Sequence, residues 1–509
     1  MNKGKKSLLT AGTAVLLMFL NGLFGLIVTK MVITTYGSDF NGLNSTATQF
    51  INMLLIVEGG FTLATNVALF KPLVSESYKE VNRILSATGK IFNKIGIVFL
   101  TIGVIVSFGY SILLKSDLSI EVVVMTFLMT VISTAFNLLY AMKYRILLQS
   151  EQKEYILNSI QIGTLVLSQA LIIAVVFLKG HMLLVRFVTM VGVVINSLIV
   201  SAVCRRNYKF IDFSEEPNYV AISGTKDVFV QKLTSMIYKT LPIVFISATV
   251  GTIFASVYIV YNNIFNLLKS VIYAFINAPR MGFGKLIAER DRDYVLKVFL
   301  QYEFIVNIVM LTLLSTAAVL IMPFIRIYTT GITDANYYNW YIALLLIGIT
   351  FFEIIHIPSG NIINMAGKFK VGRKIQSIAS IVLILVMIVG NHFIGFYGIL
   401  LAVFVTAVLL AILEIVYIHY FYFNKSCLKF LRLLVPNFII MLVITVLEVK
   451  YLPTITGYVS FFIAGIVIVI VNGGILGIVN FIFNKEMMSD IFERVNTIIK
   501  LKVKKRPVV

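Results

Sequence analysis

The chain has 509 residues, of which 59% are hydrophobic and only 13% charged, and its mean hydropathy is +0.95. Soluble domains carry about 25% charged residues, so this composition excludes a water-soluble fold. The apolar runs recur so evenly that no soluble module fits between them, and the chain reads as one membrane unit. Its two cysteines, Cys204 and Cys427, lie far apart without the spacing that metals require and read as bystander thiols.

At the N-terminus, Lys3, Lys5 and Lys6 precede an apolar run that continues to Val32 without a small-residue cleavage site. This is a retained first span rather than a removable signal. A bilayer core of about 30 Å needs roughly 20 apolar residues as helix, because lipid offers the backbone no hydrogen-bond partner. That rule predicts about 14 transmembrane helices in an all-α polytopic membrane protein. The first seven are expected at 8–36, 43–70, 91–114, 120–147, 156–178, 182–203 and 228–247. The second seven are expected at 253–277, 295–325, 340–365, 375–392, 396–423, 430–449 and 458–483.

Basic residues alternate along this map. Lys71, Lys79, Arg83, Arg205, Arg206, Arg280, Arg290, Arg292, Lys368 and Arg373 fall in even-numbered connections, whereas Lys115, Lys179, Arg186, Arg326 and Lys450 lie in or beside odd-numbered ones. The positive-inside rule therefore places the even connections and both termini in the cytoplasm. The net charge of +20 faces an anionic leaflet and implies no nucleic-acid partner. The tail residues Lys500, Lys502, Lys504, Lys505 and Arg506 read as a membrane-surface anchor, and Tyr337, Tyr338, Trp340 and Tyr341 as an outer aromatic belt.

One ungapped shift lays Gly37, Phe40 and Lys71 onto Gly251, Phe254 and Lys285. Nearby, the segment from Leu147 to Lys153 resembles that from Ile362 to Lys368. With six spans per copy the repeat is parallel, and two six-helix lobes are expected to face each other across a cleft. The expected parts are an N-terminal lobe at 1–203, a cytoplasmic linker at 204–225 with Glu215, Glu216 and Pro217, and a second lobe at 226–424. Two additional transmembrane helices at 425–484 and a basic tail at 485–509 complete the chain.

Ionisable groups within spans cost several kcal/mol unless paired or hydrated. Lys30 lies in span 1, Glu58 in span 2, Lys232 and Lys239 in span 7, and Lys269 in span 8, which are equivalent spans of the two halves. Lys239 and Lys269 are expected at similar heights, with Lys232 roughly 10 Å nearer the cytoplasm. Such a ladder of cations suits an anionic head group, since each offers phosphate a charge-assisted hydrogen bond. Lys30 and Lys232, near span ends, could equally snorkel to water. Glu58, beside Gly59 and Gly60, could pair with a lysine or carry a proton. Glu353 and His356 share one face of span 10 ahead of Pro358, as a proton or sodium site would, or as two groups that satisfy each other would. Glu414 and His419 form a weaker candidate.

Through Tyr36-Gly37 and Gly42-Leu43, Glu58-Gly59-Gly60, Phe70-Lys71-Pro72-Leu73 and the tract from Leu148 to Tyr155, the chain resembles the polysaccharide-exporter (Wzx-type) branch of the multidrug, oligosaccharidyl-lipid and polysaccharide (MOP) superfamily. Multidrug and toxin (MATE) exporters and lipid II flippases are its relatives. The resemblance implies a V-shaped transporter in the bacterial cytoplasmic membrane, with spans 1, 2, 7 and 8 lining an alternating-access cavity. It also implies an undecaprenyl-diphosphate-linked oligosaccharide substrate for capsule, exopolysaccharide or O-antigen assembly, with glycosyltransferases and a polymerase as pathway partners. No cofactor is expected beyond a proton or sodium gradient, because no phosphate-binding Gly-rich Lys-Ser/Thr motif is present. A drug exporter would be expected to carry a carboxylate-rich cavity. A membrane polymerase or ligase would be expected to carry a substantial outer loop, whereas the longest here, 326–339, has Asp334 as its only acid.

Overall fold

The computed structural model describes residues 3–222, 226–277 and 280–493, and these contain helices and no strand. We number the helices α1 (Lys3–Leu54), α2 (Ile56–Val74), α3 (Tyr78–Leu113), α4 (Ile120–Ser150), α5 (Glu154–Phe177), α6 (Met182–Asn207), α7 (Lys226–Thr249) and α8 (Thr252–Asn277). There follow α9 (Arg280–Glu289), α10 (Arg292–Tyr328), α11 (Trp340–Met365), α12 (Phe369–Ile394), α13 (Phe396–Tyr422), α14 (Leu428–Tyr451) and α15 (Tyr458–Phe483). Eleven helices are long and apolar enough to cross a membrane among the described residues. They carry expected spans 1, 3 to 6 and 9 to 14. Spans 7 and 8 correspond to α7 and α8. Span 2 is assembled from the end of α1 and from α2, because the expected connection at 37–42 shrinks to a single non-helical residue, Gly37.

The chain divides into two compact units. Unit 1 comprises residues 1–267, 331–337 and 376–403, and unit 2 comprises 268–330, 338–375 and 404–509. Among its described residues, unit 1 gathers apolar side chains into clusters. One holds Phe92, Leu138, Tyr144 and Leu147, and another holds Phe40, Leu43, Tyr110 and Phe127. Unit 2 is built around α10, whose most apolar stretch is 67% buried against 17% for α15. The latter helix therefore leaves most of its surface for lipid. Asn437 of α14 and Asn480 of α15 exchange amide hydrogen bonds of 3.1 and 2.8 Å, and Asn472 donates to Ser315 Oγ of α10 at 3.0 Å. Hydrogen bonds of this kind hold helices together where the hydrophobic effect offers no drive.

The two related connectors match bond for bond. After α4, Gln152 N–H donates to Gln149 O (2.9 Å) and Lys153 N–H to Leu148 O (2.8 Å), with Gln152 at φ 57°. After α11, Gly367 N–H donates to Asn364 O (3.1 Å) and Lys368 N–H to Ile363 O (2.9 Å), with Gly367 at φ 68°. Both are Schellman closures, in which a left-handed residue turns the chain back onto the last helical carbonyls. Upstream, both helices are irregular at corresponding places: α4 has a π turn at Asn137–Ala141, and α11 breaks at His356. The aligned glycines Gly37 and Gly251 also both have positive φ, 88° and 137°.

Around Gly37, unit 1 ties a polar knot. Ser38 donates through its N–H and its Oγ to the Asp334 carboxylate, at 2.5 and 2.8 Å. The Tyr337 hydroxyl bonds with Ser38 Oγ and Ser256 Oγ, and Asn41 donates to Ser256 Oγ at 2.7 Å. Asp39 accepts from Ser116 Oγ, from Asp117 N–H and from Thr252 Oγ1. Tyr337 is thus not part of an aromatic belt. It is 2% exposed, whereas Tyr338, Trp340 and Tyr341 are exposed, because its hydroxyl is satisfied inside by two serines and its ring can therefore be buried. Burial pushes that hydroxyl's pKa up.

Gly42 sits where α1 meets α8, and a Cβ there would lie 1.8 Å from the Thr252 carbonyl oxygen. Gly42→Ala should therefore lower the stability of the purified protein by about 1–3 kcal/mol, the usual cost of overpacking. Gly163→Ala, which meets nothing within 4 Å on α5, should be neutral or stabilising. Thermal melting of both variants in the same detergent checks the contrast.

Candidate functional site

Unit 2 carries a chain of three ionisable pairs inside its helices. Lys269 Nζ of α8 lies 2.9 Å from Glu353 Oε2 of α11, with side chains 13% and 14% exposed. One turn on, His356 Nδ1 lies 2.9 Å from Glu414 Oε2 of α13. From α13, His419 Nε2 lies 3.2 Å from Glu303 Oε1 of α10, both almost fully buried. The pairs join α8 to α11, α11 to α13 and α13 to α10.

Local sequence explains each placement. Glu353 and His356 are three residues apart and share a face, but α11 breaks at His356 and Pro358 opens the next segment. A Cβ on Gly360 would stand 2.6 Å from Glu414 Oε2, so the glycine is what lets that carboxylate approach His356. Glu414 and His419 are five residues apart, about 140° around a regular helix. The π turn at Tyr417–Tyr422 widens the helix and re-aims His419 at Glu303, a common use of such insertions. Phe299 and Phe430 pack on the His419 ring, so water is kept from the innermost pair. Glu303 Oε2 has no hydrogen-bond partner among the described residues.

The expected ion-coupling residues Glu353 and His356 are therefore near each other but paired elsewhere, one with Lys269 and the other with Glu414. Lys269, expected as a cavity cation, has its charge compensated by Glu353. Of the other expected cavity residues, Lys30 lies partly exposed on α1 and Lys239 exposed on α7, both in unit 1. Glu58 lies on α2 and Lys232 on α7, and their side chains lie outside the described residues, as do the tail lysines and Arg506.

Sequence reasoning passed over two residues. Glu303 interrupts expected span 9, and that interruption was its signal. Arg186 was counted among the basic residues in or beside the outer connections although it falls inside the expected span 182–203, and it is 6% exposed inside unit 1. Its Nε donates to Thr130 Oγ1 (2.9 Å) and its Nη1 to Asn44 Oδ1 (2.9 Å) and Thr48 Oγ1 (3.2 Å). These neutral partners come from α4 and α1, and no carboxylate pairs with it among the described residues. The signal was its position four residues inside an apolar run.

Chemically, an almost buried lysine held by one carboxylate can exchange that partner for another anion. Imidazole–carboxylate pairs can hold and pass a proton near neutral pH. Lys269→Met and Glu353→Gln should each destabilise the protein by more than the double substitution, since each leaves one charge unpaired. A thermal-melting double-mutant cycle should give a coupling of about 0.5–3 kcal/mol, and additivity would argue against the pair. Arg186→Met should cost about 1–3 kcal/mol through acceptors left without a donor, measured by the same melting assay.

The sequence matches no family model and no curated protein. Solved structures do match. Lipid II flippase MurJ in an inward closed conformation gives a TM-score of 0.66 at 15% identity, covering 93% of this chain and 99% of that one. A multidrug resistance MATE family transporter of the MOP superfamily, in its inward-facing conformation, gives 0.59 at 12% identity, covering 85% and 96%. MATE in the bent conformation gives 0.55 at 12% identity, covering 88% and 100%. At these identities the likeness is one of fold, and the chain is an all-α polytopic membrane protein with the fold of MOP-superfamily transporters.

Proposed function

We propose that this chain is a flippase that moves an undecaprenyl-diphosphate-linked oligosaccharide repeat unit from the inner to the outer leaflet of the bacterial cytoplasmic membrane. In this reading both termini are cytoplasmic. Glycosyltransferases load the lipid carrier before transport, and a polymerase consumes the oligosaccharide afterwards.

The observation that carries the proposal is the Lys269–Glu353 pair. A diphosphate offers more oxygens and more charge than one carboxylate, so it can displace Glu353 and take the lysine in charge-assisted hydrogen bonds. The released carboxylate is then neutralised by a proton, which the adjacent His356–Glu414 pair can deliver. Lys239, exposed on an apolar helix of unit 1, is a further cation with which a phosphate can pair. Each net negative charge moved outward gains about 2.3 kcal/mol per 100 mV of inside-negative potential, so no nucleotide hydrolysis is required.

The likeness to MurJ supports a second reading, in which the cargo is lipid II rather than a repeat unit. Its diphosphate would meet Lys269 in the same way, and the two readings differ in the group that the diphosphate carries. Proteoliposomes separate them by comparing outward movement of the two lipids, the faster cargo identifying the substrate.

In the same assay, Lys239→Ala and Lys269→Ala should each reduce transport at least about ten-fold, the loss expected for one charge-assisted phosphate contact, while the protein stays monodisperse. Full transport by both variants would overturn the assignment of these lysines. Glu353→Gln should bind the diphosphate head group more tightly and lose the pH dependence of transport.

A further inference from the structure

Where α10 and α14 begin and α15 ends, unit 2 contains a cavity of about 770 Å³. Its charged lining is mixed, but the acids are largely engaged. Asp490 lies 2.7 Å from Lys297, and Asp293 lies 3.6 Å from Lys425 just outside. Lys429, Arg432 and Lys485 also line the cavity, are exposed, and make no ion pair among the described residues. Among the described lining residues, Glu486 alone remains to offset three cations.

Each helix wall continues those cations into an apolar stripe. On α14, Arg432 is followed on the same face by Val435, Ile439 and Leu442, 44%, 53% and 54% exposed. On α15, Lys485 lies beyond Ile482 and Ile478, both more than 60% exposed. From Arg432 to Leu442 the stripe runs about 15 Å, which is the depth of one leaflet. A free anion would use only the cations. The paired stripes suit a molecule with a phosphate at one end and acyl chains one leaflet long.

We propose that this cavity binds the phosphate head group of an anionic phospholipid through Lys429, Arg432 and Lys485, with acyl chains along α14 and α15. Basic pockets between spanning helices take such head groups by charge complementarity with apolar anchoring below. The site lies in unit 2 away from the Lys269–Glu353 pair in sequence and chemistry, and it does not depend on the flippase reading.

Native mass spectrometry of the full-length protein released from detergent, with phosphatidylglycerol, phosphatidylcholine or inorganic phosphate added, tests it. Phosphatidylglycerol should bind at least about ten-fold more tightly than phosphatidylcholine, and K429Q/R432Q/K485Q should remove that preference, each cation near the surface being worth about five-fold. Exchange of the same positions as K429R/R432K/K485R should preserve it. K90Q/K94Q/K209Q, which removes the same charge from exposed positions of unit 1, should change binding less than two-fold. Lys485→Gln alone, beyond the end of α15, should weaken binding about five-fold without endangering the fold. An unchanged preference in the triple or in Lys485→Gln, or equal loss in the unit 1 control, would overturn the site. Displacement of the lipid by millimolar inorganic phosphate would overturn the lipid assignment in favour of a free anion.

Discussion

Lipid provides neither hydrogen-bond partners nor solvation for charge, and the interior of this protein is organised by that constraint. An ionised side chain inside a span must find a counter-charge or a ring of dipoles from another helix. Unit 2 answers with counter-charges: Lys269 with Glu353, His356 with Glu414, and His419 with Glu303. Unit 1 answers with dipoles, surrounding Arg186 with Thr130, Asn44 and Thr48. In both units the partners come from different helices, so the polar groups that threaten stability in lipid also specify which helices pack together.

Under the proposed flippase function, those pairings also connect stability to transport. An ion pair that is fully enclosed stays shut, and one that is fully hydrated is worth little. The Lys269–Glu353 pair lies between these limits and is the member of the chain best suited to exchange partners. The innermost pair, capped by Phe299 and Phe430, is suited to anchoring. The same helices thus carry a gradient from exchangeable to fixed electrostatics.

Backbone geometry was legible where glycine or a helix stop marked it. Gly37 and Gly42 stood out as residues, and the structure supplies the reasons: a positive φ at the first and a 1.8 Å approach of a carbonyl to the missing Cβ at the second. The connector resemblance rested on few identities, yet the two Schellman closures agree in every bond, because the motif depends on one left-handed residue and the preceding carbonyls rather than on side chains. That is why Gln152 and Gly367 serve the same role.

Helix class, the run of spans and the ionisable residues that interrupt them follow from local facts, namely apolar length and the cost of burying charge, and these can be read along a single chain. Pairing cannot be read that way. Glu353 and His356 share a face, yet their partners come from α8 and α13, set by a helix break, a π turn and the space left by Gly360. Arg186 gives no sign of its partners in the sequence, and α1 and α4 supply them by closing around it. Charge compensation acts over a few ångströms between helices far apart in sequence, so only the tertiary structure decided which of these groups pair and which pair is fully enclosed.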